Sequence, residues 1–403
     1  MTGYATVLAV AAVSTWLFTF VVRRLAIRFR LVVLPDDRRI HEKPTPTAGG
    51  VAMFLALLVA MGVASQMAQF EPVFEGSSEP LGVVLAAAVI FAVGLLHDAW
   101  EVSPPAKLAG QVLAGTVLYF LGVTMYYFRV PFADFVVLSP DLIPLVTVLW
   151  VAGMANACNL IDGLDGLAAG IVAIAGGAFF LYGDRLLKAD LIDPSNAGPL
   201  VAILAVGICL GFLPHNFHPA RIFMGDAGAL LLGLLMAAST MLVGGRTADQ
   251  FSGQTYFFFA PVFIPFFILG VPILDTLLAI VRRSRKGLPR TAPDKDHLHH
   301  RLYHLGHGQR RSVLILWTWT GLLSALVLYP TYTNKGNAFI PLGAGALGVV
   351  LYTLFHPGVR RSPPAEAMIV LTEVADHERD GADPAPAGPE PAGAGFTPRD
   401  SHG

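Results

Sequence analysis

Long apolar runs separated by short polar connections dominate this chain, and the runs are continuous rather than alternating residue by residue. A membrane-spanning helix needs about 20 predominantly apolar residues. About eleven stretches approach that length, near 3–22, 50–68, 81–97, 107–127, 142–159, 164–182, 198–215, 227–244, 257–281, 312–330 and 338–355. Continuous runs predict spanning helices, because a spanning strand shows an apolar–polar alternation instead. The first run has no basic residue ahead of it and Arg23, Arg24, Arg28 and Arg30 behind it. A secretory signal carries the opposite flank, so this run is expected to stay as a transmembrane helix.

Composition strengthens the membrane reading. Of 403 residues, 54% are hydrophobic and 14% charged, against about 25% charged in a soluble domain; mean hydropathy is +0.61. The net charge of −1 becomes informative only when sorted by topology, and no nucleic-acid partner is expected. Placing the N-terminus outside puts 22 of the 27 Lys and Arg residues in the inner segments and leaves Arg129, Arg185, Lys188, Arg246 and Lys335 outside. The positive-inside rule therefore selects that orientation. The expectation is an all-α polytopic bundle of about eleven transmembrane helices in the inner (plasma) membrane, with residues 1–360 as the membrane domain. Residues 361–403 form a cytoplasmic tail whose Pro, Ala, Gly and Glu content from about Gly381 predicts disorder. Cys158 and Cys209 both fall in apolar runs and read as buried thiols rather than a disulfide.

With this orientation every unusual polar segment is cytoplasmic: Pro35–Gly50, His97–Lys107, Asn156–Asp165, His215–Asp226 and Arg282–Arg311. In Asn156-Ala-Cys-Asn159-Leu-Ile-Asp162-Gly163-Leu164-Asp165-Gly, polar side chains recur every third residue, a step that stays near one helix face. An Asx-rich helix cap accounts for part of this pattern. Hard oxygen donors in register also suit Mg²⁺, which takes one or two carboxylates plus substrate phosphates. Phe223-Met-Gly-Asp226-Ala-Gly opens the next run, and Asp226 alone reads equally as an N-cap or a ligand. Two acidic helix ends on one side point to a shared metal, and helix N-termini favour phosphate. His97-Asp98, near Lys107, ends the third run and offers a proton acceptor or an interfacial hydrogen bond. His297, His299 and His300 follow a basic run that includes Arg290. Their alternatives are a zinc site or a solvated loop, and hydrogen bonding to a phosphorylated substrate is preferred. Arg38, Arg39, His41 and Lys43 form a cationic arm before Pro44-Thr-Pro-Thr47-Ala-Gly-Gly. Asp275, inside an apolar run, is assigned a structural role.

Taken in order from about Pro35 to Arg301, these motifs resemble the polyprenyl-phosphate N-acetylhexosamine-1-phosphate transferase family, of glycosyltransferase family 4 type. The resemblance implies transfer of a sugar-1-phosphate from a UDP-sugar to a polyprenyl phosphate such as undecaprenyl phosphate, with UMP released at the cytoplasmic face. It also implies Mg²⁺, or Mn²⁺, on Asp226 with Asn159 and Asp162. Gly163, Leu164, Asp165 and Phe223 match uridine-recognition positions, and Lys43, Lys107, Arg290 and His297 match positions around the phosphates. Asp98, His97, Asp162, Asp226, His299 and His300 form the implied catalytic set. A homodimer is compatible with this scheme.

The chain departs from the family pattern at His97, where paired aspartates are usual and the first is a proposed base for the lipid phosphate. Pro44-Thr-Pro-Thr47-Ala-Gly-Gly and His297-Leu-His299-His300-Arg301 resemble the N-acetylglucosamine-1-phosphate branch more than the muramoyl-pentapeptide branch. A cation-coupled transporter is the non-enzyme alternative, but transporters place substrate near mid-membrane on broken helices.

Overall fold

The computed structural model describes residues 2–29, 32–33, 45–100, 102–129, 135–244, 308–333 and 343–349. The helices are α1 (Thr2–Arg28), α2 (Gly49–Ala64), α3 (Glu71–Glu75), α4 (Glu79–Trp100), α5 (Pro104–Phe120), α6 (Leu142–Ile161), α7 (Leu167–Lys188), α8 (Gly198–Asn216), α9 (Gly225–Gly244) and α10 (Gly308–Thr333). A further helical stretch covers 343–349. Several boundaries are written locally. Prolines occupy the first turns of α5 and α8, where a missing N–H costs nothing. Arg185 and Lys188 lie in the last turn of α7, where positive charge complements the helix dipole.

Among the described residues, six helices are long and apolar enough to cross a membrane: α1, α4, α6, α7, α8 and α9. They coincide with the predicted runs 3–22, 81–97, 142–159, 164–182, 198–215 and 227–244. The run expected at 50–68 is different: α2 stops at Ala64, and the chain bends by 92° into the 3-10 turn Ala68–Phe70 and α3. The run expected at 107–127 yields a 17-residue α5, after which the backbone turns at Gly122 and forms a hairpin. That hairpin pairs β3 (Tyr127–Arg129) with β4 (Phe135–Val137), and β1 (Val32–Val33) pairs antiparallel with β2 (Thr45–Pro46). The fold is thus that of an all-α membrane protein, with two ladders of two or three residues in its connections. The run 312–330 lies within α10. The run 257–281 and the tail from 361 fall outside the described residues, as does most of 338–355.

α9 is the centre of the bundle. Its apolar residues are buried all round, and it packs on α2, α4, α6, α7 and α8. A helix that is apolar on every face belongs in such a core. α1 packs on α2 and α8, α5 on α4 and α6, and α10 on α7. Small residues set the closest approach: a Cβ at Gly94 of α4 would run into the Ala227 backbone of α9.

Polar contacts tie the two ends separately. At one end Glu79 Oε2 accepts the Ala197 N–H at 3.0 Å, Asn196 Nδ2 donates to the Leu242 carbonyl at 2.7 Å, and Ser78 Oγ donates to the Leu121 carbonyl at 2.9 Å. The other end gathers the N-termini of α2, α5 and α9 with the C-termini of α4 and α6.

Candidate active site

The site grows from the first turn of α9. Gly225 has φ +69°, a left-handed conformation that glycine adopts without steric cost. It delivers Asp226 into that turn. The free amides of this turn are capped from another helix: Asp98 Oδ1 accepts the Asp226 N–H at 2.8 Å and Oδ2 accepts the Ala227 N–H at 3.1 Å. The segment before α9 is stitched to the start of α2. Phe223 N donates to the Pro46 carbonyl at 2.8 Å, Gly49 N to the Phe223 carbonyl at 2.9 Å, and Gly50 N to the Met224 carbonyl at 2.8 Å. Two motifs about 180 residues apart in sequence therefore form one backbone unit.

On that unit, the Lys107 ammonium forms an ion pair with Asp226 Oδ2. Their side chains are only 13% and 22% exposed, which protects the pair from screening by solvent. His97 Nε2 lies 3.5 Å from the same oxygen. Its Nδ1 is 3.0 Å from the Val102 carbonyl, a bond that places a proton on Nδ1 and turns Nε2 toward Asp226. Asp162 caps the end of α6 and is half-buried. Burial, followed by the charges of Asp226, Asp98 and Asp165, pushes its carboxyl well above the usual carboxylate range. Asp162 thus shares one electrostatic environment with Asp98, Asp165 and Asp226. Asn159 lies one turn back on α6, half-buried; Leu164 is buried and Gly163 exposed.

The other polar residues of the Asn156–Asp165 segment are committed elsewhere. Asn156 and Gln111 of α5 exchange amide hydrogen bonds at 2.7 and 3.2 Å, and Asn156 also donates to the Ala152 carbonyl. Asp165 Oδ2 takes the Ala220 N–H at 3.0 Å and faces His218 Nδ1 at 2.7 Å. Asn216 binds the Gly166 N–H and the Ile222 carbonyl, each at 3.0 Å. Arg310 Nε donates to the His218 carbonyl and Arg23 Nε to the Arg221 carbonyl, both at 3.1 Å. The loop between α8 and α9 is therefore held by α1, α10 and the loop between α6 and α7.

The structure accordingly brings together His97, Asp98, Lys107 and Asp226, with Asp162 within reach of their charges and Phe223 on the backbone unit beneath Asp226, whereas Asp165 pairs with His218. Lys43, Arg290, His297, His299 and His300 lie outside the described residues. The sequence reading missed Gln111, Asn216 and His218, which no spacing singles out, and the place of Thr47 beside Gly225. Among the described residues, no three His, Cys, Asp or Glu side chains are arranged as a ready metal cage. The donor chemistry of Asp226, Asp162 and Asn159 nonetheless fits an ion that takes one or two carboxylates and completes its shell with phosphate oxygens and water.

Membrane-length helices that bring acids, a lysine and a histidine together at one end describe a multi-pass membrane protein with a charged site. The chain belongs to glycosyl transferase family 4, whose pattern it matches over residues 80–244. It is similar to the decaprenyl-phosphate N-acetylglucosaminephosphotransferase of Mycolicibacterium smegmatis, 38% identical over 358 residues and 88% of each chain. The probable undecaprenyl-phosphate N-acetylglucosaminyl 1-phosphate transferase of Bacillus subtilis is 36% identical over 312 residues, 76% of this chain and 79% of that one. A phospho-N-acetylmuramoyl-pentapeptide-transferase of Desulforudis audaxviator is 34% identical over 317 residues, 72% of this chain and 85% of that one.

Proposed function

We propose that this chain transfers N-acetylglucosamine-1-phosphate from UDP-N-acetylglucosamine to a polyprenyl phosphate at the cytoplasmic face of the plasma membrane, releasing UMP. The observation that carries this reading is the meeting of Lys107, His97 and Asp226 beside Asp162 at one end of the helix bundle. The names of relatives at 36–38% identity support the N-acetylglucosamine branch.

In this reading an oxygen of the lipid phosphate forms a bond to the β-phosphorus of the UDP-sugar, and the bridging bond to the α-phosphate breaks. A lipid phosphate that arrives singly protonated gives its proton to His97 Nε2, the ring nitrogen left to accept once Nδ1 bonds Val102. Lys107 sets a positive charge against the diphosphate. Phe223, Gly163, Leu164 and Asp165 orient the uridine, while Lys43, Arg290, His297, His299 and His300 serve the phosphates. Asp226, with Asp162 and Asn159, would hold Mg²⁺ or Mn²⁺, which supplies charge neutralisation along the diphosphate and at the departing UMP. Positioning and electrostatics carry most of the catalysis, as in phosphoryl transfer generally.

The test is to incubate membranes containing the chain with polyprenyl phosphate and a panel of radiolabelled UDP-sugars. UDP-N-acetylglucosamine is expected to give labelled lipid and UMP. A preference for UDP-N-acetylmuramoyl-pentapeptide would move the chain to the other branch, represented by the Desulforudis relative. Accumulation of intact substrate in sealed vesicles without cleavage would point to transport.

A further inference from the structure

Asp98 is the second of the paired positions, next to His97, which stands where the resemblance puts the base for the lipid phosphate. Its geometry serves a different purpose. Both carboxylate oxygens are engaged by backbone N–H groups of α9, those of Asp226 and Ala227, at 2.8 and 3.1 Å. α9 needs this help. The opening N–H groups of a helix have no intrahelical partner. The residues before Asp226 are Met224 and Gly225, neither of which carries a side-chain acceptor. A buried helix beginning without a local cap must borrow one, and a carboxylate also complements the positive end of the helix dipole.

The surrounding packing is built around that cap. Gly94 and Asp98, one turn apart on α4, both meet the first turn of α9. Gly225 leaves space for the carboxylate: a Cβ there would stand 2.5 Å from Asp98 Oδ2 and 2.9 Å from Thr47 Oγ1. Each oxygen gives one lone pair to the cap, so a change at this carboxylate acts directly on the helix start that carries Asp226.

We infer that Asp98 is a positioning residue: it caps α9 from α4 and fixes where Asp226 presents its carboxylate. This division leaves ion holding to Asp226 itself. It rests on the assignment of Asp226 in the proposed function.

The experiment measures UMP release by the full chain in membranes against Mg²⁺ concentration and pH, for wild type, Asp98→Asn and Gly225→Ala. The amide of Asp98→Asn would keep an acceptor for the Asp226 N–H but could not act as a base. Loss of a general base costs about 10²–10⁴-fold, whereas Asp98→Asn is expected to stay within about tenfold of wild type. Its pH profile should be unmoved and its half-saturating Mg²⁺ concentration raised several-fold. Gly225→Ala keeps the acid but crowds the cap, and it should show the same raised Mg²⁺ requirement. A loss beyond about 100-fold in folded Asp98→Asn, with a limb of the pH profile gone, would overturn the inference and make Asp98 the base. A wild-type Mg²⁺ requirement in both variants would also overturn it. Where Asp98→Asn does not fold, Gly225→Ala decides: a wild-type rate and Mg²⁺ requirement there reject the positioning role. A silent wild type counts against the proposed function instead. The cap would then be read from stability alone, with Asp98→Ala expected to melt below Asp98→Asn and equal melting rejecting the cap.

Discussion

Lys107 reaches Asp226 from the first turn of α5, and its ammonium neutralises a carboxylate whose charge both Asp98 and Asp162 feel. A cation placed this way both stabilises the acids at rest and faces any diphosphate drawn to them. Lys107→Ala is expected to lower the rate of UMP release by about 10²–10³-fold, the scale of losing one fixed charge at a transferring phosphate. Lys107→Arg should recover only part of it, because a planar fork does not reproduce a compact ammonium. Gln111 shows the opposite kind of residue. It is 1% exposed and exchanges two bonds with Asn156. Gln111→Ala leaves the Asn156 amide short of a partner and should cost about 1–3 kcal/mol of stability. Thermal unfolding in detergent reads that loss, and the Mg²⁺ requirement should not move with it.

Between elements, the contact that matters most is α4 against α9. Gly94 lets the two helices touch backbone to backbone, so Gly94→Val is expected to force them apart. Overpacking of this kind costs about 1–3 kcal/mol, and here it also shifts Asp98 relative to Asp226. The variant should therefore lose activity at temperatures where it is still folded, measured as turnover beside the unfolding curve. Element ends are also where the sequence was least legible. The three-residue spacing of Asn156, Asn159, Asp162 and Asp165 reads as one helical face, but α6 ends at Ile161. Beyond that point the periodicity no longer governs direction, so Asp165 turns to His218 while Asn156, still inside the helix, faces α5. Hydropathy likewise ran 50–68 together because it registers apolar character and is blind to the bend after Ala64. What was legible is the run pattern of α1, α4, α6, α7, α8 and α9, together with the placing of His97, Asp98, Lys107 and Asp226 at helix ends that meet. The run pattern follows from the thickness of a bilayer. Partners such as His218 and Asn216 were not legible, since they depend on a loop path that no local pattern dictates.

For the whole molecule, the gathering of α2, α5 and α9 N-termini with α4 and α6 C-termini puts the site at one end of the bundle. Combined with 22 of 27 basic residues assigned inside, that end is proposed to be cytoplasmic. Exposed single cysteines at opposite ends test this, because the native Cys158 and Cys209 are buried and should label poorly. Ser103→Cys, between α4 and α5, is expected to react with an impermeant thiol reagent only in inverted vesicles. Glu75→Cys, in α3, should react only in right-side-out vesicles or whole cells. Labelling of both from the same side would reject the arrangement.

The most direct measurement compares wild type and Asp226→Asn with UDP-N-acetylglucosamine and polyprenyl phosphate, across a Mg²⁺ titration and in excess chelator. Wild type should release UMP and form the lipid-linked sugar only when the divalent ion is present. Asp226→Asn should lose at least about 10³-fold at every Mg²⁺ concentration, as expected when an ion's charge stabilisation is removed. Near-native turnover by Asp226→Asn, or undiminished wild-type turnover in chelator, would contradict the account.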